Sequence, residues 1–231
     1  VAGVALSLSM LQAYPGVRGL LVAPTFDQLK QGSLQTFMEW CPRSYILAHN
    51  RSEHILQFNF LDSEGNPSEL LYRSTSDIDR IRSHEYAWCW WDESAMSSED
   101  SRQVIRGRLR HRRGLPLRED GRAAWHYPIF ETTTPRGRNH LYRTYSPDAM
   151  SGEPEVRREA RLEQFKMVHA TTYDNVENLP IGYIEQQEAA MLGDEQLRQQ
   201  EIEGLFVTFE GLVYPQFSAQ MHVRPLTSPD P

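Results

Sequence analysis

The sequence predicts an α/β fold: a mostly parallel β-sheet with flanking helices. Three short apolar runs, at residues 18–23, 86–91 and 124–130, are continuous rather than alternating, as in strands buried on both faces. Each run ends in polar residues and is followed by a helical pattern. Strands that alternate with helices in this way form parallel sheets covered on both sides. A chain of 231 residues is long enough to bury such a core.

The first half of the chain shows the remaining elements in order. A helix is predicted over residues 1–13 and ends before a Tyr-Pro-Gly turn, after which the first strand begins. Residues 27–40 have a helical pattern. Residues 54–60 and 69–74 alternate, or nearly alternate, between apolar and polar residues on either side of a loop of turn-forming residues, which predicts a hairpin.

Beyond Arg143 the pattern changes. Residues 146–164 indicate a loop or an irregular helix, 165–170 a short strand and 181–202 a polar helix. Residues 205–217 predict a short β-hairpin with Glu-Gly at its turn. A helical segment and a hairpin therefore follow the sheet.

Composition narrows the class of protein. With 39% hydrophobic and 24% charged residues, the chain is not collagen-like, disulfide-rich or wholly disordered. No stretch approaches the roughly 20 apolar residues of a membrane helix, which predicts a soluble protein. Cys41 and Cys89 fit neither a disulfide framework nor a metal-ligand spacing, and they indicate a reducing compartment.

Positive charge is concentrated in one segment. Residues 102–143 contain eleven Arg and three acidic residues, a local balance of +8 that leaves −15 for the rest of the chain. Guanidinium groups suit phosphate oxygens, so the segment predicts contact with DNA or with a neighbouring subunit. An exposed, solvated surface is the alternative. The candidate contact residues are Arg106, Arg108, Arg110, Arg112 and Arg113.

The most informative motif is a strand that ends in two acids. The apolar run at 86–91 is followed directly by Asp92 and Glu93. In nucleotide hydrolases, an Asp at this position lies beside the magnesium bound to the phosphates, and the adjacent Glu orients and deprotonates the attacking water. A strand that ends in two solvated acids is the alternative explanation.

Hydroxyl groups follow the next predicted strand. Thr132, Thr133 and Thr134 come directly after the run at 124–130 and its Glu131, in a place suited to sensing a γ-phosphate. Taken alone, β-propensity and a turn before Pro135 explain these threonines. Together with the acids, they predict a motor-type ATPase with its ligands at the carboxyl ends of the strands.

In this order the motifs resemble the large subunit of tailed-phage terminases, the ATP-hydrolysing motor that packages viral DNA into procapsids. The matching segments cover nearly all of the chain and are VALSLSML, YPGVRGLLVAPTFDQLKQG, IRSHEYAWCWWDESA, TTTPRGRNHLY, TTYDN, QQEIEGLF and GLVYPQF. The resemblance implies that Asp92 and Glu93 are the Walker B acids of a site for ATP and Mg²⁺. Asp92 would hold Mg²⁺ through water, and Glu93 would be the catalytic base. Thr132 to Thr134 would form the motif that couples hydrolysis to domain movement.

The resemblance also implies a second catalytic residue, Arg82. It precedes Asp92 at the position of an arginine that acts on the nucleotide of a neighbouring subunit. The residue after it is Ser83, where the family usually has Gly. The alternative is a structural Arg82 that pairs with Asp79 or Glu85.

The domains and partners are implied in the same way. Residues 1–144 would be the ATPase core, 145–204 a lid or linker, and 205–231 the incomplete start of an RNase H-like endonuclease domain. The partners would be double-stranded DNA, the portal protein, the small terminase subunit and further copies in a homo-oligomeric ring on the procapsid. The location would be the host cytoplasm, with no membrane partner.

The sequence departs from the family in lacking a Walker A loop. The pattern G-x-x-x-x-G-K-[ST] requires Gly before Lys, whereas Lys30 and Lys166 follow Leu and Phe. Because residues 1–13 resemble the helix that follows this loop, we expect the sequence to be a fragment that begins after it. We also expect the 231-residue chain by itself to bind ATP weakly, without the amides and Lys that hold the phosphates.

Two other functions fit the motifs. A helicase-like nucleic-acid translocase shares the ATPase core and would continue into a second ATPase-like lobe. A non-enzymatic DNA-binding or assembly module without an ATP site is the other, and a Gly-Lys-Ser/Thr loop upstream of Val1 would exclude it.

Overall fold

The structure, a computed structural model, describes residues 1–120 and 125–207, which fall into two compact units. The first unit extends from Val1 to Thr134, and the second begins at Pro135. The domain limits expected at residues 144 and 204 remain predictions. Within the described ranges, no helix is long and apolar enough to cross a membrane.

A six-stranded sheet organises the described part of the first unit. The strands are β1 (Arg18–Ala23), β2 (Ile46–Asn50), β3 (Ile55–Leu61), β4 (Pro67–Ser74), β5 (Trp88–Asp92) and β6 (Ile129–Thr132). They lie in the order β2-β3-β4-β1-β5-β6. Strands β4, β1, β5 and β6 are parallel to one another, whereas β2 and β3 run antiparallel at one edge. The predicted α/β class with a mostly parallel sheet is therefore confirmed.

Helices cover both faces of this sheet. On one face lie α1 (Ala2–Ala13), α2 (Phe26–Gln28) and α3 (Leu34–Trp40), with a π-helical turn at Leu29–Ser33 joining α2 to α3. On the other face lie α4 (Ile78–Arg82) and α5 (Glu99–Arg108). Each face has its own core of fully buried apolar side chains. β1 contributes Leu21 to one core and Leu20 and Val22 to the other, which explains its unbroken apolar sequence.

Two glycines allow this packing against the tryptophans of β5. A Cβ atom at Gly19 of β1 would lie 2.1 Å from Cζ2 of Trp88. A Cβ atom at Gly3, in the first turn of α1, would lie 2.0 Å from Cε2 of Trp90. Because only glycine leaves room for these rings, α1 begins close to the carboxyl end of β5.

Several predicted elements need correction. The hairpin of β3 and β4 was predicted and is confirmed, but β2 was missed, since its partly exposed edge position gives no apolar alternation. The strand expected from residue 124 begins only at Ile129. Tyr127 has a φ of +50°, and Pro128 has no amide hydrogen to donate, so neither extends the strand.

The second unit is helical where it is described. It contains α6 (His140–Tyr145), α7 (Glu155–Gln164), α8 (Tyr183–Ala190) and α9 (Glu195–Glu201). The helix expected over 181–202 is interrupted near Gly193, whose φ is +91°. The strand expected at 165–170 is wrong: these residues form no strand, and Val168 is 94% exposed. The hairpin expected at 205–217 lies, from residue 208 onward, outside the described residues.

Candidate functional site

The ends of β5 and β6 bring the acidic and the threonine motifs together. The parallel register pairs Asp92 with Thr132. Thr132 Oγ1 donates a hydrogen bond to Asp92 Oδ1 at 2.5 Å and accepts one from Trp90 Nε1 at 2.8 Å. Because a hydroxyl has a single proton, the Trp90 contact leaves that proton for Asp92. The predicted neighbourhood of the two motifs is therefore present in the fold.

A residue that the sequence did not predict holds the other oxygen of Asp92. Ser33 Oγ donates to Asp92 Oδ2 at 2.6 Å, and Ser33 is only 3% exposed. It is the last residue of the π-helical turn between α2 and α3. Such turns are rare and are frequent at functional sites. The only sequence signal is the polar run Lys30-Gln31-Gly32-Ser33, which interrupts the apolar pattern of the helix.

Glu93 follows in a backbone conformation that non-glycine residues seldom adopt. Its φ of +49° and ψ of +40° are left-handed, which costs about 1 kcal/mol for a residue with a Cβ atom. Its amide donates to Thr132 O at 2.7 Å. The chain therefore turns sharply at the end of β5, with Glu93 next to Asp92. Strain of this kind clusters at active sites, where the surrounding structure maintains it.

Thr133 fastens the segment that follows the acids. Its Oγ1 accepts a hydrogen bond from the amide of Ala95 at 3.2 Å and donates to Thr134 O at 3.1 Å. Ala95 lies in the short 3₁₀ turn Ser94–Met96, directly after Glu93. The threonine motif thus holds the acidic motif on both sides of Glu93, through Thr132 and Thr133. Thr134 is the last residue of the first unit.

A buried ion pair that the sequence analysis missed lies next to this site. Arg102 of α5 pairs with Glu131 at 2.7 Å, and both side chains are largely buried. Arg102 also lies over the ring of Trp91, 5.9 Å from its centroid. Since Glu131 is aligned with Trp91 in the parallel register, the pair joins α5 to the ends of β5 and β6. Removing one partner of a buried pair leaves an uncompensated charge, so we interpret this pair as structural.

Arg82 is not part of the cluster around Asp92 in the same chain. It ends α4, which precedes β5, whereas Asp92 ends β5. Its side chain is half exposed and lies 3.1 Å from Asp79. Arg82 thus precedes β5 whereas Asp92 ends it, and its contact with Asp79 is one of the pairings expected of a structural arginine. Action of Arg82 on another subunit's nucleotide remains a prediction.

The five arginines proposed for DNA or subunit contact do not form one patch of equivalent residues. Arg110 pairs with Glu85 at 2.7 Å, and Arg113 donates to Gly16 O at 2.9 Å. Arg106 and Arg112 are exposed. Arg108 ends α5 and is half-buried. The contact role of these five residues remains a prediction.

Comparison with known proteins assigns the chain to a family. The family model described as "Terminase large subunit, T4likevirus-type, N-terminal" matches residues 6–221. The chain belongs to the terminase large subunit family. Among curated proteins, no sequence matches the chain.

Solved large terminases have the same fold. The large terminase of a thermophilic bacteriophage is 18% identical, with a TM-score of 0.64 over 98% of this chain and 50% of that chain. The same enzyme in complex with ATP-γ-S is 19% identical, with a TM-score of 0.61 over 99% of this chain and 49% of that one. The large terminase ATPase domain of Thermus phage P74-26 is 21% identical, with a TM-score of 0.54 over 89% of this chain and 83% of that one.

The chain spans about half the length of the thermophilic-phage terminase that it matches. At these identities the structural likeness establishes the fold alone. The terminase family and the α/β fold predicted from the sequence are thus confirmed. The roles of Asp92, Glu93, Arg82 and the three threonines remain predictions.

Proposed function

We propose that this chain is the ATPase region of a large terminase and that it hydrolyses ATP to drive the packaging of double-stranded DNA. The observation that carries the proposal is the clamp on Asp92, whose two carboxylate oxygens accept hydrogen bonds from Thr132 and Ser33. Glu93 follows it directly in a left-handed conformation. This is the arrangement expected of a carboxylate that positions a metal next to a general base.

The residues at this site suit Mg²⁺ bound together with a nucleotide. Mg²⁺ prefers oxygen ligands and is usually held by one or two carboxylates plus substrate phosphates, with several waters retained. Asp92 and the hydroxyls beside it are oxygen donors of this kind. Bound Mg²⁺ would neutralise charge on the phosphates and on Asp92.

The side chains of this chain would then divide the work. Asp92 would orient water molecules of the Mg²⁺ shell, since Ser33 and Thr132 fix both of its oxygens. Glu93 would hold the attacking water and accept its proton, the usual task of a carboxylate base. Thr132 and Thr133 form hydrogen bonds with Asp92 and Ala95. A displacement of Asp92 or Glu93 during hydrolysis would therefore move the threonines, and Thr134 is the last residue of the first unit. This gives the proposed coupling motif a physical basis.

We propose that Arg82 and several arginines of residues 102–143 contact other molecules, namely a neighbouring subunit and DNA. Half-exposed and distant from Asp92 along β5, Arg82 would stabilise negative charge in the ATP site of the next subunit of a homo-oligomeric ring. Arg106, Arg110 and Arg112 are the exposed candidates for contact with DNA or that subunit. The portal protein and the small terminase subunit are proposed partners from the family, and the host cytoplasm is the proposed location.

Substitution of Asp92 tests the proposal. In a terminase that carries this chain together with a phosphate-binding loop, Asp92→Asn is expected to lower Mg²⁺-dependent ATP hydrolysis by about 100-fold or more. The substitution removes the negative charge of the carboxylate that would hold the metal. Phosphate release measured over a range of Mg²⁺ concentrations provides the readout. The matched control is Asp27→Asn on the exposed surface of α2, which should hydrolyse ATP normally. Normal hydrolysis by Asp92→Asn would refute the assignment.

A further inference from the structure

A groove lies along the carboxyl end of β4, and it shares no residue with the cluster around Asp92. It consists of two adjoining pockets, with volumes of about 410 Å³ and 250 Å³. Phe26 and His54 line both of them. Volumes of this order are typical of sites for small molecules or for single units of a larger ligand.

The groove carries more positive than negative charge. The larger pocket is lined by Lys30 and Arg51 and by no acidic residue. The smaller is lined by Arg73 and Arg80, with one acid, Asp77, that lies 3.4 Å from Arg80. Outside residues 102–143 the chain has a net charge of −15, so the cationic residues of this groove come from a part of the sequence that is acidic as a whole.

Arg73 adds a specific reason to expect an anion. The residue is 3% exposed, and its Nη1 donates to the carbonyl oxygens of His54 and Tyr72, both at 3.0 Å. Its Nε has no hydrogen-bond partner, and the acid whose charge acts on it, Glu53, does so without a salt bridge. A buried charge without a paired counter-ion is costly. A phosphate in the smaller pocket would supply one.

Aromatic rings stack on one another beside the pockets, and the two that are partly exposed, Phe26 and His54, provide a surface for a base. The ring centroids of Phe26 and His54 are 4.5 Å apart with planes at 24°, and those of His54 and Tyr72 are 5.2 Å apart at 26°. Burial, with help from Arg73 and Arg80, lowers the pKa of His54, which keeps this ring neutral and suited to stacking. His54 also has a φ of +56°, a strained conformation at the point where the two pockets meet.

We propose that this groove binds a segment of single-stranded nucleic acid, with phosphates at the arginines and Lys30 and a base against the rings. Stacking on aromatic side chains combined with a positive groove is the general way in which proteins hold single strands. Two adjoining pockets suit consecutive nucleotides of one strand. A duplex cannot enter in this way, because its bases are already paired and stacked.

The two lysines of the sequence provide a matched test. Lys30 lines the larger pocket, whereas Lys166 is exposed in the second unit. Binding of a short fluorescein-labelled oligothymidylate to the full chain is measured by anisotropy, without ATP. Lys30→Gln is expected to weaken binding by about tenfold, the loss of one charge-assisted contact. Lys166→Gln, with the same change in net charge, should bind like the wild type. Both positions are exposed, so neither change disturbs the core.

Two further probes separate base recognition from simple charge attraction. An abasic strand of the same length is expected to bind more weakly than oligothymidylate, and Lys30→Gln is expected to leave the affinity for the duplex of the same sequence unchanged. Equal effects of the two lysine substitutions on oligothymidylate binding would overturn the proposal, as would equal affinity for the abasic strand or a tenfold loss of duplex affinity in Lys30→Gln. Absence of binding would also overturn it. None of these results depends on ATP hydrolysis, so the proposed function can fail or stand separately.

Discussion

Apart from the acidic and threonine motifs, the hydroxyl of Ser33 is the group that fixes the orientation of the Asp92 carboxylate. It reaches Asp92 from a helix on one face of the sheet, whereas Thr132 reaches it from the neighbouring strand. Two fixed donors leave a carboxylate little freedom to rotate. The energy of each bond is modest, about 1.5–3 kcal/mol for a bond to a charged group, but its effect on orientation is direct.

Substitution of Ser33 tests this positioning role. In a terminase that carries this chain, Ser33→Ala is expected to lower kcat for ATP hydrolysis by about tenfold with little change in KM, since Asp92 loses orientation rather than charge. Steady-state kinetics at saturating Mg²⁺ provide the measurement. Ser7→Ala is the control, because Ser7 is also buried and its hydroxyl donates to the carbonyl of Gly3, within its own helix. An equal loss in both variants would reduce Ser33 to a packing role.

At the residue scale, the sequence predicted the acids and the threonines but not Ser33. Asp92 and Glu93 stand out because a polar pair directly follows a buried strand, which a linear pattern can show. The contact of Ser33 depends on a π-helical turn that rotates its side chain toward β5, and no periodicity argument predicts such a turn. The Arg102–Glu131 pair was missed for a similar reason, since its members meet only once α5 packs on the sheet.

At the scale of elements, the close contact of β1 with the tryptophans of β5 determines how the sheet is built. Gly19 faces the ring of Trp88 with no room for a methyl group. We expect Gly19→Ala to lower the free energy of unfolding by about 1–3 kcal/mol, the usual cost of overpacking a core. Urea denaturation followed by circular dichroism would measure the change.

Gly107 provides the control for that substitution. It lies in α5 with open space around the position of a Cβ atom. Gly107→Ala should therefore leave stability unchanged or raise it by about 0.5–1 kcal/mol, through helix propensity. If Gly19→Ala were equally harmless, the packing of β1 against Trp88 would be wrong.

The elements that the sequence predicted well are those with a strong local signal. The apolar runs of β1 and β5 and the turn between β3 and β4 are of this kind. β2 pairs only at the edge of the sheet, so most of its side chains are exposed and its sequence shows no strand pattern. The helix expected over residues 181–202 breaks near Gly193. The prediction was based on the many Glu and Gln residues of this segment and did not take the glycine into account.

At the scale of the whole molecule, the partial burial of His111 makes stability depend on pH. Burial, with Arg18 and Arg113, lowers the pKa of His111 to about 4, and its Nδ1 has no hydrogen-bond partner among the described residues. In the unfolded chain His111 has a pKa of about 6.5, so it is protonated below that pH, whereas in the folded chain it stays neutral until about pH 4. Stability is therefore expected to fall as pH falls through this window.

A difference measurement isolates this contribution. The Tm of the chain at pH 7 and at pH 5 is compared with that of His111→Gln, which should lose less on acidification than the wild type. His126→Gln, at an exposed position, should behave like the wild type. An identical pH dependence in all three proteins would contradict a neutral, half-buried His111.

The most decisive substitution for the whole molecule is Glu93→Gln, because ATP hydrolysis is proposed to depend on the acids at the end of β5. The change removes the proton acceptor and keeps the size of the side chain. In a terminase that carries this chain and a phosphate-binding loop, we expect ATP turnover to fall by about 100-fold or more, the contribution of a general base, while binding of a fluorescent ATP analogue persists. Glu64→Gln, in the exposed turn between β3 and β4, should be fully active. Unchanged turnover in Glu93→Gln would contradict the proposed ATPase site.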